Sequence, residues 1–174
     1  MNHHDHVALL TNGIHVQGGV WADLGAGDGA FTLALADLIG TTGTIYAVDR
    51  DEGALRRLAR AMQQRFPEVT LHTQRGDFDR PLQLPPLDGI VMANSLHFIR
   101  HKAGTLARIR AYLQPGGRLL MVEYNSDRGN VWVPHPFAYP TWQKMSQACG
   151  FVHTELLATY PSRFMGEIYA AASW

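Results

Sequence analysis

Short apolar runs alternate with stretches of helical spacing over most of the chain. Val20 to Leu24, Thr44 to Asp49, Val69 to Thr73, Gly89 to Ala93 and Arg118 to Tyr124 are brief, mostly apolar on both faces, and stop at turn or polar residues, which predicts strands. Runs of that kind suit a parallel sheet buried on both sides. Between them, Ala30 to Ile39, Glu52 to Phe66 and Lys102 to Leu113 carry apolar residues at helical intervals, as in Ala54, Leu55, Leu58 and Met62. The punctuation agrees: Gly40 follows the first helix, Pro67 the second, and QPGG at 114 to 117 closes the third before the fifth strand. The result is a repeating βα pattern.

The remainder departs from that repeat. Asn125 to Pro140 is irregular and rich in Pro, Gly and aromatics, as expected of a lid or a lining loop. A helix from Thr141 to Cys149 follows, ended by Gly150, and then two strands, Phe151 to Thr159 and Phe164 to Ala172, joined by the turn YPSR as an antiparallel hairpin. If the strand before the turn runs parallel to the others, the turn lies at the carboxyl edge of the sheet, where open α/β sheets bind ligands. The N-terminal NHHDH at 2 to 6 is expected to be a mobile, solvated terminus, with no metal assigned to its histidines.

Composition narrows the functional classes. With 174 residues, 46% hydrophobic and 17% charged, one domain with a sizeable core is expected. Its parts are a cap segment at 1–17, a cofactor-binding core at 18–124, and an acceptor-side loop, helix and hairpin at 125–174. Fifteen basic residues balance fifteen acidic ones, so there is no field to draw the protein onto nucleic acid, and a small neutral partner is favoured. Arg56, Arg57, Arg60 and Arg65 read as a solvated helix face. The single cysteine, Cys149, cannot close an internal disulfide, and no apolar run of about 18 residues exists to span a membrane, so a soluble cytoplasmic protein is expected.

The chemistry begins at VWADLGAGDGAFTLAL, residues 20 to 35, where Gly25, Gly27 and Gly29 separate a strand from a helix. Glycine allows the sharp turn and lets a ligand reach the backbone without a Cβ in the way, while the helix start attracts an anionic group. Taken alone, the loop also fits the dinucleotide form GxGxxG/A, as Gly25, Gly27 and Ala30. Asp49, ending the second strand twenty residues after Gly29, is placed to accept hydrogen bonds from both hydroxyls of a ribose. Asp51 is the better cap for the helix that follows. After the third strand, Asp77 can accept from an exocyclic adenine amine with Phe78 beside the ring; alternatively, Asp77 or Asp79 closes an Asx turn.

In this order, DLGAGDG at 23 to 29, YAVD at 46 to 49, GDF at 76 to 78, DGIVMANSLH at 88 to 97 and LQPGGRLLMVE at 113 to 123 resemble the class I S-adenosylmethionine-dependent methyltransferases over nearly the whole chain. The resemblance implies a Rossmann-like three-layer α/β sandwich, with a seven-stranded, mostly parallel sheet of order 3-2-1-4-5-7-6 and an antiparallel strand seven. It implies that the loop Asp23, Gly25, Ala26, Gly27 and Gly29 holds the methionine portion and ribose, that Asp49 binds the ribose hydroxyls, and that Asp77 and Phe78 flank adenine. Arg50 and Asn94, beside strands two and four, complete the expected cofactor set. S-adenosylhomocysteine would be the product.

A methyl on a sulfonium is already activated, so the protein's task is mainly to position the acceptor and exclude water. A base is needed only when the acceptor must lose its proton, and His97, after strand four, is the candidate. Tyr124 joins it as a candidate catalytic group, and His97, Tyr124, Trp132 and Arg163 are the candidate acceptor contacts. The chain lacks an NPPY-type motif, a Pro-Cys nucleophile and a cysteine set for arsenic, so those subclasses drop out; the layout most resembles the small-molecule and quinone-biosynthesis-type methyltransferases, which implies a small-molecule acceptor. Little of the chain is available to cap it, leaving an open pocket, a larger partner or walls supplied by a homodimer. Two alternatives are a donor-binding protein without turnover and a small NAD-dependent oxidoreductase. The second is disfavoured because there is no Tyr-x-x-x-Lys pair and no second domain.

Overall fold

In the computed structural model, which describes all 174 residues, the apolar runs lie side by side as strands. β1 (Val20–Leu24), β2 (Thr44–Asp49), β3 (Thr70–Arg75), β4 (Leu87–Ala93) and β5 (Leu113–Tyr124) pair in parallel, while β7 (Gly166–Ser173) runs antiparallel between β5 and β6 (Thr154–Ser162). The order is β3-β2-β1-β4-β5-β7-β6, as the family resemblance implies.

Both faces of the central strands are covered, which explains why β1, β4 and β5 are apolar at successive positions, whereas β3, expected to be buried on both faces, is an edge strand and largely exposed. On β5, Leu120 and Val122 pack toward α1 (His3–Leu10), α2 (Ala30–Ile39) and α3 (Glu52–Arg65), whereas Leu119 and Met121 pack toward α4 (Lys102–Tyr112) and α5 (Tyr139–Ala148). All four are fully buried; burying an aliphatic side chain of this size contributes about 1.5–3 kcal/mol. Asp51 caps α3, its Oδ1 accepting from Gly53 N at 2.7 Å and Ala54 N at 3.1 Å, so Asp49 is left free of that duty. The α3 arginines are exposed, with Arg56 paired to Glu52 and Arg57 to Asp28.

Several elements differ from the sequence expectation. The N-terminus is not a loose tail: Asn2 and Asp5 form a reciprocal capping box that starts α1. Two of its three histidines are used in pairing and packing, His3 Nε2 lying 3.1 Å from Asp37 and the His6 ring 4.8 Å from that of Phe31, while His4 is exposed. Tyr160 donates to Asp5 at 3.1 Å and ties α1 to the hairpin. β5 begins at Leu113 rather than Arg118, because Leu113 pairs with Leu87 ahead of a register shift. The hairpin turn falls at 163–165, since Pro161 stays in β6, an edge strand where a missing N–H is tolerated. No helix is long and apolar enough to cross a membrane.

Candidate active site

The glycine loop is fastened through its main chain. Gly25 N and Ala26 N both donate to Val48 O, at 2.8 and 3.1 Å, and Gly29 N donates to Ala26 O at 2.9 Å. Gly25 has φ +83° and faces Ser95 so closely that a Cβ there would lie 2.5 Å from the Ser95 Cβ. Gly27 has φ +52°, and nothing lies within 4 Å of where its Cβ would be, so its bare backbone borders open space. Asp49 closes the arrangement, its Oδ2 accepting from Gly27 N and its Oδ1 from Asp51 N, each at 2.8 Å. The two bonds fix the carboxylate plane and leave further lone pairs directed at the crevice.

Two adjoining hollows of about 280 Å³ each share Gly25, Gly27 and Asn94. One is bordered by Asp49, Arg50, Gly76, Phe78, Ser95 and Phe98, the other by Asp23, Ala26, Asp28, Phe31, His6 of α1 and Met1 ahead of it. Asn94 stands between them with φ +51° and a buried Oδ1 that has no hydrogen-bond partner. A side chain held in a left-handed conformation with an unmet acceptor is a site awaiting a donor. Asp23 is buried, its Oδ2 accepting from Thr32 Oγ1 at 2.6 Å. Burial pushes its carboxyl up to about 7; Thr32 opposes that shift and the nearby Asp49 charge adds to it. Asp77 lies outside both linings: its Oδ1 accepts from Asp79 N at 3.0 Å in an Asx turn and its Oδ2 is 3.6 Å from Arg50.

Also at the carboxyl edge, but outside both linings, His97 follows β4 and Glu123 lies near the end of β5, brought together because those strands are neighbours. His97 Nδ1 is 2.9 Å from Glu123 Oε2 and 3.0 Å from Oε1, and the His97 backbone N donates to Oε1 at 3.2 Å. The histidine is 3% exposed and the glutamate 0%. A carboxylate on Nδ1 fixes the proton there and leaves Nε2 as the basic nitrogen. His97 was expected at this edge from its place after strand four, whereas its pairing with Glu123 was not. Tyr124, 6.3 Å from the His97 ring, packs edge-on against Phe164 at 5.8 Å. Burial raises the Tyr124 hydroxyl above its ordinary range, and the Glu123 charge adds to this, so Tyr124 stays a neutral phenol at neutral pH. Trp132 points outward at 75% exposure, and Arg163 is exposed at the hairpin turn with no ion pair, so neither is gathered into the crevice.

The sheet order, with a glycine loop after β1, an acidic residue closing β2 and a crevice at the carboxyl edge, defines a nucleoside-binding α/β protein of the class I methyltransferase type. The family profile described as a methyltransferase domain matches residues 22–119. The chain belongs to this family, the class I S-adenosylmethionine-dependent methyltransferases, with S-adenosylmethionine as cofactor. It is 27% identical over 161 residues to the reducing polyketide synthase grgA of Penicillium sp, covering 79% of this chain and 6% of that protein. It is 30% identical over 125 residues to the ubiquinone/menaquinone biosynthesis C-methyltransferase UbiE of Burkholderia mallei, covering 72% of this chain and 49% of the relative. The chain thus spans half or less of these relatives' lengths. Among solved structures, YcgJ from Bacillus subtilis superposes with a TM-score of 0.79 over 98% of this chain and 97% of its own, at 13% identity.

The crevice suits the donor chemically. Its lining includes the Asp49 oxygens, the aromatic faces of Phe78 and Phe98, and the buried acid Asp23. The two hollows together fall within the ~300–1,000 Å³ usual for small-molecule sites.

Proposed function

We propose that the chain methylates an acidic carbon of a small, largely apolar acceptor, with His97 as general base. The observation that carries this is the buried His97–Glu123 pair at the ends of two adjacent strands. A buried carboxylate on Nδ1 has one chemical consequence of use here: Nε2 takes a proton and the resulting imidazolium is stabilised in place. Such a base is superfluous for an amine and necessary for a carbon acid or a hydroxyl. The choice of carbon is supported by the relatives, one of which is by name a C-methyltransferase and another a polyketide synthase.

In this reading, Asp49 holds the ribose hydroxyls, Gly25 and Gly27 let the donor lie against bare backbone, and Asn94 Oδ1 accepts from it at the junction of the hollows. Arg50 and Phe78 border the adenine end, Arg50 steadied by Asp77. When bound, the donor supplies a methyl carbon whose bond electrons return to sulfur on transfer. His97 Nε2 removes the acceptor's C–H proton, and the electron pair left on that carbon forms the new C–C bond. Glu123 holds the imidazole in register, while Tyr124 and Phe164 wall the acceptor and keep water from it.

The test is S-adenosylhomocysteine release across a panel of acceptors, a 1,3-dicarbonyl thioester and a hydroquinone against a catechol and a primary amine, with the product methyl located by NMR. Carbon methylation that disappears in His97→Ala is expected. Methylation of oxygen or nitrogen alone, or donor binding with no turnover on any acceptor, would overturn the reading.

A further inference from the structure

We propose that Lys102 is the positioning residue that holds His97 in its working tautomer, an inference that rests on His97 being the base. The lysine begins α4, and its ammonium is half-buried over the Phe137 ring, 5.2 Å from the centroid. Nζ donates to Ile99 O at 2.7 Å and to His135 O at 2.8 Å. Ile99 ends the short turn Leu96–Phe98 that carries His97, and His135 belongs to the long loop after β5. That loop returns the contact directly, His135 N donating to His97 O at 3.1 Å. One ammonium therefore pins the segment just after His97 and the residue that grips the His97 carbonyl.

The same ammonium acts through its charge. Burial lowers its proton affinity and the Glu123 carboxylate opposes that, so the two charges attract through the protein interior. Glu123 is the group on His97 Nδ1. The other titratable groups turned toward this cluster are Tyr124 on β5, Tyr169 on β7 directly across from Glu123, Asp127 and His135 in the loop, and Tyr139 on α5. A lysine is costly to desolvate, and an ordinary helix start needs no cation, since its dipole there is already positive. Its position is explained by what it does for its neighbours.

The experiment follows the imidazole nitrogens of His97 by ¹⁵N-edited NMR at about pH 8.5, where free histidines are neutral, in the full chain with S-adenosylhomocysteine added. The signal is assigned by its loss in His97→Gln. In the parent protein the proton is expected on Nδ1 alone. In Lys102→Met it is expected to spread over both nitrogens, and in Lys102→Arg, which keeps charge and donors, to return to Nδ1. With an accepted acceptor, kcat should fall about tenfold or more in Lys102→Met, with the KM for the acceptor and the affinity for S-adenosylhomocysteine within about twofold. His97 spectra in Lys102→Met that superpose on the parent's would overturn the proposal, as would Lys102→Arg behaving like Lys102→Met. The NMR arm needs no acceptor, so it stands or falls separately from the carbon-methylation reading. Should Lys102→Met not fold, Lys102→Gln, neutral but still a donor, gives the same two outcomes.

Discussion

The Asp49 carboxylate accepts from Gly27 N at 2.8 Å, so the end of β2 holds the loop after β1. An acid in this position both shapes the loop and presents its remaining lone pairs to whatever lies on it. Asp49→Ala is expected to weaken S-adenosylhomocysteine binding at least tenfold, about 1.4 kcal/mol. Asp49→Asn, which keeps an oxygen for Gly27, should lose less than Asp49→Ala. Isothermal titration calorimetry measures both, and unchanged affinity in Asp49→Ala removes Asp49 from the donor site.

Gly25 and Gly27 both have positive φ but differ in their surroundings. Gly25→Ala must push a methyl against Ser95 as well as adopt a left-handed backbone, and should cost about 2–4 kcal/mol with loss of donor binding. Gly27→Ala meets nothing within 4 Å and should cost only the backbone penalty of about 1–2 kcal/mol. Urea denaturation ranks them; equal losses would show that the Ser95 contact relaxes freely.

Asp23 makes stability depend on pH in an unusual direction. Its folded carboxyl titrates near 7 against an ordinary 3.8, so between those values the folded state holds the proton and the unfolded state does not. This group's contribution is therefore most favourable below 3.8, declines as pH rises through the window, and is least favourable above about 7. Asp23→Asn, whose amide oxygen still accepts from Thr32, should be more stable than the parent by on the order of a few kcal/mol at pH 8 and nearly equal to it at pH 4. Denaturation at both pH values decides it.

Glu123→Gln leaves His97 a neutral acceptor in the same place. Turnover is expected to fall by about 10²-fold or more, with S-adenosylhomocysteine affinity close to the parent's. A drop in donor affinity instead would assign Glu123 to the donor site.

The strands and helices around the donor crevice were legible because each carries its own punctuation: glycines at 25 and 27, Asp51 as a cap, Gly40 and Pro67 as stops. Helix α1 was missed because three histidines conceal its apolar face, though Asn2 and Asp5 at capping-box spacing were the available signal. The hairpin turn was misplaced because proline normally marks a turn, and only the edge position of β6 makes Pro161 acceptable within a strand. The His97–Glu123 pair and the Lys102 strut join residues 26 and 33 positions apart in sequence, and no local pattern encodes either. The pair follows only once β4 and β5 are known to be neighbours, with Ala93 opposite Val122.

Main-chain bonds from Gly25, Ala26, Gly27 and Gly29 set the crevice floor before any molecule enters it. Binding energy from the nucleoside end is then not consumed in ordering the protein. Donor and spent product share that end atom for atom, so it anchors both alike. Which of them leaves first is decided by the few groups near sulfur, where one carries a positive charge and the other none.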